Sequence, residues 1–417
     1  MFEVYIHVPF CLRRCGYCDF NTYTATDLGA GASRGNYANM VIREMELTRE
    51  WQLVHGIEEP PADTVFFGGG TPTILSADDL VAMLDAVRRI WGVAPAAEIT
   101  TEANPDTVNE YYIGRLAEGG FTRISFGMQS AVPHVLKTLD RTHTPANVEA
   151  GVRAAGKLGL RSSVDLIYGA PGESLDDWRT SVKTAIDLGV NHISAYALTV
   201  EPTTKMGRRI AAGTLPKPDD DDEAAKYEIA DDLLTAAGLA WYEVSNWAKP
   251  GYESRHNLGY WRNVDWAGLG PGAHSHYNAV ASDGAGATHA LRAWDIAHPR
   301  MWGTAINEGR VPWGGSEAIT PGENLEELIM LGLRIREGLD LTRIDRAIAS
   351  ARESEGSTSL RSIDAARLRP MVEDGLIVIE TDAEGHTRVV PTRVVPTRKG
   401  RLLNDAVIER FFALAGV

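Results

Sequence analysis

The stretch Val4-Tyr5-Ile6-His7-Val8-Pro9-Phe10-Cys11-Leu12-Arg13-Arg14-Cys15-Gly16-Tyr17-Cys18 places three cysteines in a C-x3-C-x2-C pattern directly after a short β-like run. They are the only cysteines in the chain. An iron-sulfur cluster is usually held by four cysteines, so three thiolates in this spacing can bind three irons of a cubane and leave the fourth iron open. An iron with an open coordination position beside a pocket can take part in a reaction.

Two alternatives compete with a cluster. Zinc also favours thiolates in C-x2-C spacing, and His7 or Asp19 could complete a four-ligand zinc site. The cysteines could also be unliganded core residues. The spacing favours the cluster over zinc, because structural zinc knuckles usually join two separated pairs of ligands.

Length and composition bound the protein further. With 417 residues, of which 44% are hydrophobic, the chain is globular and long enough for two or three domains. No apolar stretch approaches the length of a membrane span, and the cysteine motif leaves no room for a signal peptide, so we expect a cytoplasmic protein without membrane insertion. Clustered cysteines fit a reducing compartment. The formal net charge of -15 argues against a nucleic-acid partner, because phosphate binding needs clustered basic residues.

From residue 1 to about 246, short β-branched or aromatic runs alternate with helical patterns, which begin at signals such as Ser76, Thr144 and Ser174. This alternation predicts six βα units and therefore an α/β fold with a parallel sheet. Eight units would complete a TIM barrel, so six indicate an open, partial (β/α)6 barrel. The predicted strands are residues 4–8, 64–67, 98–102, 123–126, 163–168 and 192–198.

Unusual residues fall where the predicted strands end, which is where active sites lie on parallel βα folds. The cysteine loop follows the first strand. Gly68-Gly69-Gly70-Thr71-Pro72 follows the second, where glycines let a backbone approach a ligand while offering amide donors. Each feature alone has an ordinary structural explanation, but together behind the cysteines they predict a ligand site. The other candidates at strand ends are Glu102, Gln129, Arg141 and Asp165.

The composition changes after residue 246. Seven of the ten tryptophans lie between residues 241 and 313, together with His256-Asn257-Leu258-Gly259-Tyr260-Trp261 and with His274 and His276 in a glycine-rich stretch. Aromatic residues, histidines and glycines could build a slot for a flat macrocycle with an axial histidine. Composition alone favours a seam between two domains, where large aromatic residues fill irregular space.

Residues 320–417 predict a small winged-helix-like domain, with a β-wing from residues 376–380 and 388–390. The direct repeat T-R-V-V-P at 387–391 and 392–396 is interpreted as a lengthened wing. Winged helices often bind DNA, but the acidic balance favours a packing or partner role. The predicted division is therefore a partial-barrel domain over 1–246, a connecting segment over 247–319 and a C-terminal domain over 320–417.

The cysteine motif, the glycine run and the strand-end residues together resemble the radical S-adenosylmethionine (SAM) superfamily, whose core is a (β/α)6 partial barrel. The resemblance implies one [4Fe-4S] cluster on Cys11, Cys15 and Cys18, with the amino and carboxylate groups of SAM closing the fourth iron position. It also implies SAM contacts at matching positions: Gly69, Gly70 and Thr71 near the methionine part, Glu102 and Gln129 at polar groups, Arg141 and Asp165 at carboxylate or ribose, and Tyr5 and Tyr17 as aromatic contacts.

A narrower resemblance covers nearly the whole chain. The stretches Y-I-H-V-P-F-C, G-G-G-T-P, G-A-P-G-E, H-N-L-G-Y-W and G-L-G-P-G-A-H-S are similar to the oxygen-independent coproporphyrinogen III oxidase family, and most similar to its HemW heme chaperone branch. Two departures separate the chain from the oxidases. Phe20 stands where they carry a further cysteine, and the chain begins ten residues before Cys11, where they carry a substantial N-terminal segment.

This resemblance implies a protein that binds heme and delivers it to heme-accepting apo-proteins, and it favours a chaperone over an enzyme. It places His256, Asn257, Tyr260 and Trp261 in a heme motif. This stretch is therefore interpreted as a heme site rather than as a seam between two domains. The alternative is an oxidase that decarboxylates coproporphyrinogen III through a 5'-deoxyadenosyl radical. A third hypothesis, a regulatory winged-helix protein, would need a basic face, which the sequence does not show. Association into a homodimer is a further expectation.

Overall fold

Six parallel strands, adjacent in chain order, form the centre of the main sheet. The computed structural model describes residues 1–281, 288–356, 359–380 and 393–417. All six predicted strands are present, and most extend beyond their predicted bounds, so the expected α/β class with a parallel sheet is confirmed. The strands are β1 (Phe2–Val8), β2 (Ala62–Gly69), β3 (Val93–Ala103), β4 (Arg123–Gln129), β5 (Arg161–Tyr168) and β6 (His192–Ala197).

Helices connect these strands, and the three predicted start signals are confirmed. Ser76, Thr144 and Ser174 each accept a backbone N–H from the residue three positions on, which satisfies a donor that the first helical turn leaves free. No helix in the described part of the chain is both long and apolar enough to cross a membrane. The helices are α1 (Tyr37–Val54), α2 (Ala77–Ile90), α3 (Glu110–Glu118), α4 (Pro133–Thr138), α5 (Pro145–Lys157), α6 (Leu175–Asp187), α7 (Lys205–Ala211) and α8 (Asp220–Ala236).

Further strands lengthen the sheet at both edges. They are β7 (Ala240–Glu243), β8 (Asn246–Ala248), β9 (Asp265–Leu269), β10 (His274–Ala281), β11 (Thr288–Asp295) and β12 (Trp313–Ile319), with helices α9 (Arg255–Trp261) and α10 (Pro299–Asn307) between them. β9 pairs in parallel with β1, and β10, β11 and β12 follow in antiparallel order. β8 is antiparallel to both β6 and β7. Because β1 and β6 have β9 and β8 as outer neighbours, the barrel stays open, and much of the segment 247–319 belongs to the barrel's own sheet.

The alternation along β1 shows how the barrel acquires a polar interior. Val4 and Ile6 are fully buried in an apolar core that also contains Val41 of α1. Tyr5 and His7 alternate with them in sequence, and their side chains are hydrogen-bonded to each other at 3.0 Å. Since successive side chains of a strand point to opposite faces, one face of β1 packs on helices and the other faces the barrel interior.

The described residues of 320–417 pack around an apolar core that includes Leu325, Ile348 and Phe411. Their elements are α11 (Pro321–Gly332), β13 (Leu339–Asp340), α12 (Leu341–Glu355), α13 (Arg369–Glu373), β14 (Ile377–Glu380), β15 (Arg393–Pro396), α14 (Arg398–Leu402) and α15 (Asn404–Ala415). β15 pairs antiparallel with both β13 and β14. The pair β14 and β15 forms the wing, whereas residues 388–390 and the first copy of the repeat lie outside the described residues.

Candidate functional site

The three cysteines lie in the loop that follows β1. Cys11 is buried, and Cys15 and Cys18 are partly exposed. Each sulfur has a polar partner: Thr71 Oγ1 lies 3.7 Å from Cys11 Sγ, Arg141 Nη1 lies 3.6 Å from Cys15 Sγ, and Thr22 Oγ1 lies 4.0 Å from Cys18 Sγ. Burial raises the pKa of Cys11, while the Thr71 hydroxyl acts in the opposite direction. Donors directed at sulfur fit a site in which the cysteines bind a group as thiolates.

The arrangement of possible ligands bears on the choice between zinc and a cluster. Within the described residues, no three His, Cys, Asp or Glu side chains converge to hold a single metal ion. His7, a candidate fourth zinc ligand, has both ring nitrogens hydrogen-bonded, to Tyr5 Oη and to Asn21 O, each at 3.0 Å. In a cubane each cysteine binds a different iron, so the three sulfurs can lie further apart. This donor set fits the cluster better than zinc.

The glycine run at the end of β2 is hydrogen-bonded to the end of β1 and to the start of the cysteine loop. Gly69 has φ +109°, and a Cβ there would lie 2.6 Å from the ring of His7, so glycine is required. The amides that were expected to be free donors are used within the protein, so this expectation is wrong for residues 69–71. Their bonds run from Gly69 N to Glu102 Oε2 (3.2 Å), from Gly70 N to Val8 O (2.8 Å) and from Thr71 N to Phe10 O (2.8 Å).

Glu102 and Asp165 are partly buried carboxyl groups that both line the barrel interior. Burial, followed by the nearby charge of Asp165, raises the pKa of Glu102 to about 8, against the opposing effect of the Gly69 amide. Burial also raises the pKa of Asp165, whose oxygens accept hydrogen bonds from Ser194 at 2.8 Å and Ser125 at 2.9 Å. At neutral pH Glu102 is therefore largely protonated and can both donate and accept a hydrogen bond.

Gln129 and Arg141 lie at and beyond the end of β4. Gln129 has φ +61°, a conformation that is uncommon for a residue other than glycine. Its Oε1 is buried and has no hydrogen-bond partner among the described residues. Arg141 Nη2 donates to Gly127 O at 2.8 Å, which holds the guanidinium across the strand end. A buried carbonyl without a partner and a fixed guanidinium suit a polar ligand, because buried polar groups are normally satisfied.

One cavity of about 610 Å³ joins these features, a volume typical of small-molecule sites. All nine residues predicted to contact SAM and all three cysteines line it. Sequence reasoning missed part of its wall. Several of these missed residues lie two positions along a strand from a predicted residue or from another missed one. Because alternate side chains of a strand share one face, this spacing was the sequence signal that could have identified them. The missed residues include Phe66, Thr100, Ser125, Ser163, Ser194 and Tyr196.

The H-N-L-G-Y-W stretch lies within α9, which is anchored at the amino ends of the barrel strands, away from the cysteine loop. Ser254 caps this helix by accepting from Asn257 N at 3.3 Å. The carboxylate of Glu98, in β3, accepts from Arg255 N at 3.0 Å and from His256 N at 3.4 Å. An anion is favourable at a helix N-terminus. These contacts fix the first turn of α9 against the barrel.

His256 lies in the first turn of α9, and its side chain is buried. Its Nδ1 lies 2.7 Å from Thr64 Oγ1 and 3.6 Å from a carboxylate oxygen of Glu3, and its Nε2 lies 3.0 Å from Tyr260 Oη. The ring stacks on Phe66, with centroids 4.9 Å apart and planes 12° apart. Burial lowers the pKa of His256 to about 3, so the imidazole is neutral. Neutral imidazole is the form that binds metals.

The remaining residues of the motif have separate contacts. Asn257 Nδ2 lies 3.3 Å from Glu243 Oε1, and Trp261 also hydrogen-bonds to this carboxylate. Burial raises the pKa of Glu243 to about 7, against the effect of these bonds. A Cβ at Gly259 would collide with the carboxyl group of Glu3, so this glycine serves the packing of α9 on β1. The residues of the motif that line the cavity are His256, Asn257 and Tyr260.

The two competing histidines lie on β10. His274 is exposed, and its ring centroid is 6.2 Å from that of Trp294. His276 is buried and stacks on Trp266, with centroids 4.9 Å apart and planes 23° apart. Neither histidine is among the residues that line the cavity. Of the three candidate histidines, only His256 therefore lines the cavity that the cysteines also line.

Comparison with known proteins agrees with this geometry. The family model of the Radical SAM superfamily matches residues 5–185, and that of the HemN C-terminal domain matches residues 319–403. Heme chaperone HemW of Mycobacterium tuberculosis H37Rv is 42% identical to this chain and spans 98% of it and 94% of its own length. Heme chaperone HemW of Bacillus subtilis strain 168 is 32% identical and spans 99% of both chains.

Among solved structures, coproporphyrinogen III oxidase (HemN) from Escherichia coli, described as a radical SAM enzyme, superposes with a TM-score of 0.77. The match covers 98% of this chain and 89% of that one, at 20% identity, and so shows a shared fold. The relatives at 30% identity or more establish closer kinship, because they align over nearly the full length. This chain belongs to the heme chaperone HemW family within the radical SAM superfamily.

Proposed function

We propose that this protein binds heme and delivers it to heme-accepting apo-proteins, on a radical SAM core that carries one [4Fe-4S] cluster and SAM. The observation that carries the proposal is identity over nearly the full length to proteins named heme chaperone HemW. The position of His256 on the wall of the cavity that the three cysteines also line supports it.

The cavity residues fit a cluster with SAM. Cys11, Cys15 and Cys18 would hold three irons. SAM bound at the fourth iron would supply radical chemistry once the cluster is reduced. The chain's own contribution is to fix the cofactor's polar groups. The unpartnered Oε1 of Gln129 offers an acceptor, and the largely protonated Glu102 offers both a donor and an acceptor.

His256 has the surroundings of a histidine that is ready to bind iron. Metal-binding histidines usually donate their second ring N–H to a carboxylate, a backbone carbonyl or water, which fixes the tautomer and the ring orientation. Here Nδ1 lies 2.7 Å from the hydroxyl of Thr64, and we propose that the tautomer that binds heme carries its hydrogen on Nδ1 and donates it to this hydroxyl. Nε2 then keeps its lone pair, and the Tyr260 hydroxyl occupies the position that heme iron would take. We infer that heme binding through His256 requires the Tyr260 side chain to move aside.

An oxygen-independent coproporphyrinogen III oxidase is the second candidate. One observation favours it: the nine residues predicted to contact SAM all line one cavity with the cysteines, which is the arrangement that radical chemistry needs. Phe20, with 62% of its surface exposed, weighs against it, because the oxidases carry a cysteine at this position. We therefore place heme delivery first.

The setting of the protein follows from the same proposal. We propose a cytoplasmic location, acceptor apo-proteins as partners and no nucleic-acid partner, in keeping with the net charge of -15. We also propose that segment 247–319 completes the sheet of the partial-barrel domain over 1–246, that the C-terminal domain begins at residue 320, and that the protein forms a homodimer. Size-exclusion chromatography with light scattering, before and after cluster reconstitution, measures the oligomeric state.

Heme transfer tests the proposal directly. The anaerobically reconstituted protein is loaded with one equivalent of heme, freed of excess and mixed with apomyoglobin, whose Soret band reports the heme it receives. We expect a Soret band on the loaded protein, followed by transfer to apomyoglobin faster than from heme-loaded albumin. Absence of a Soret band after loading would refute heme delivery.

A further inference from the structure

The turn Cys15-Gly16-Tyr17-Cys18 is held by two parts of the chain that are remote in sequence. Met206 N, in α7, donates to Gly16 O at 2.8 Å. The ring of Tyr17 packs on an apolar cluster that includes Met206 and Leu139, which directly follows α4. The cysteine turn therefore lies between α4 and α7, and its position depends on both.

Asp140 places a carboxylate between two basic side chains at this turn. Its Oδ2 lies 2.8 Å from Lys205 Nζ in α7, and its Oδ1 lies 3.6 Å from Arg13 Nη2 in the cysteine loop. Both basic side chains are more than half exposed, whereas only 17% of the Asp140 side chain is exposed. A Cβ on Gly16 would lie 2.6 Å from Asp140 Oδ2, so the carboxylate rests directly on the turn. One carboxylate thus joins the cysteine loop, α7 and the segment after α4.

The backbone explains how Asp140 reaches this position. Asp140 has φ +57°, in the left-handed region that aspartate and asparagine enter more readily than most residues. The next residue, Arg141, extends to the cavity side, where its Nη1 lies 3.6 Å from Cys15 Sγ. Two adjacent residues therefore reach the same cysteine turn, one with a negative and one with a positive group.

We propose that Asp140 is a positioning residue for the iron-sulfur cluster, which fastens the Cys15–Cys18 turn to α7 and offsets the charges of Arg13 and Lys205 beside it. The inference rests on the cluster of the proposed function. The reduction potential of a cluster depends on nearby charge and on hydrogen bonds to its sulfurs. Loss of this carboxylate leaves two cations uncompensated next to the cluster, so the cluster becomes easier to reduce, and it also loosens the turn.

Two substitutions separate the carboxylate from the backbone it requires. Asp140→Asn keeps the shape and removes the charge, and Asp140→Gly tolerates φ +57° without strain while removing the whole side chain. Asp140→Asn combined with Lys205→Gln removes one of the two uncompensated cations. Asp176→Asn is the matched control, because Asp176 is exposed and paired with Arg179 on α6. Each full-length variant is reconstituted anaerobically, and iron, sulfide, reduction potential and the electron paramagnetic resonance spectrum with and without SAM are measured.

We expect both single variants at Asp140 to hold less iron and sulfide per chain than the parent, and their remaining cluster to have a more positive potential. The Lys205→Gln combination should move the potential back toward that of the parent, and Asp176→Asn should match the parent. An unchanged potential and iron content in both single variants would overturn the inference, as would a potential in the combined variant equal to that of Asp140→Asn. A parent without iron or sulfide would instead refute the cluster itself, so the two failures are distinguishable.

Discussion

Nδ1 of His256 lies 2.7 Å from the hydroxyl of Thr64, although 192 residues separate them in the chain. This contact joins α9 to β2 and orients the imidazole toward the cavity that the cysteines line. In the proposed function Nε2 is the nitrogen that binds iron, once the Tyr260 hydroxyl 3.0 Å away has moved aside. The contact between Thr64 and His256 therefore links the fold of the barrel to that proposal.

Replacing Cys11, Cys15 or Cys18 with serine should abolish the visible absorption of the cluster and weaken SAM binding, because each thiolate holds a different iron. Iron, sulfide and zinc analysis after anaerobic purification provides the measurement. Stoichiometric zinc without iron or sulfide in the parent protein would show that the site is a zinc site.

The reconstituted protein, supplied with SAM and a reductant, should not convert coproporphyrinogen III to protoporphyrinogen IX. Phe20 stands where the oxidases have a further cysteine, and it lines the exposed part of the cavity that the three cysteines also line. Chromatography of porphyrins after anaerobic incubation measures the product. Multiple turnovers would establish the oxidase as the correct function.

His256→Ala should lower heme affinity by at least about tenfold, on the order of 1.4 kcal/mol, because it removes the proposed axial ligand. Soret titrations of variant and parent, with iron and sulfide measured in both, show whether the cluster is retained. His274→Ala and His276→Ala serve as controls. If heme binding survives in His256→Ala and is lost in either control, the ligand lies on β10 and the H-N-L-G-Y-W helix is structural.

Tyr260→Phe should retain or raise heme affinity, since it removes the hydroxyl 3.0 Å from His256 Nε2 while keeping the aromatic ring. The exchange frees the lone pair that iron would use. Soret titration is again the measurement, with Tyr111→Phe as a control, because Tyr111 is 78% exposed on α3. A large loss of affinity would mean that the hydroxyl contacts heme and that Nε2 is not the ligating atom.

The apo-protein should lose stability as the pH rises from about 5 to about 9. Burial raises the pKa of Glu3 from its usual 4.5 to about 9. In this window the folded state holds a proton that the unfolded state has released, so unfolding becomes more favourable with each step in pH. Glu3→Gln should flatten this dependence in thermal unfolding curves, whereas Glu149→Gln, at an exposed site, should leave it unchanged. Parallel curves for parent and Glu3→Gln would contradict a protonated Glu3.

The barrel and most of its ligand site could be predicted from the sequence. The carboxyl ends of parallel strands share one edge, so residues at successive strand ends, such as Glu102 and Gln129, had to come together once the strands were recognised. The same pattern does not show that the amides of Gly70 and Thr71 are already bonded, because their partners Val8 and Phe10, at the end of β1 and just after it, lie about 60 residues earlier in the chain. Hydrogen-bond partners of a loop depend on neighbours that a local pattern does not name.

By itself, the sequence determined the spacing of the three cysteines, the six βα units and the helix caps, because each depends on residues within one or two turns of the chain. Only the tertiary structure decided that β9 pairs with β1 and that α9 closes on the amino ends of the strands, where Glu98 binds its first turn and Thr64 binds His256. An open barrel leaves the outer edges of β1 and β6 free to pair with a later segment. Which segment pairs with each edge depends on contacts between residues far apart in sequence, and a local side-chain pattern does not specify such a partner.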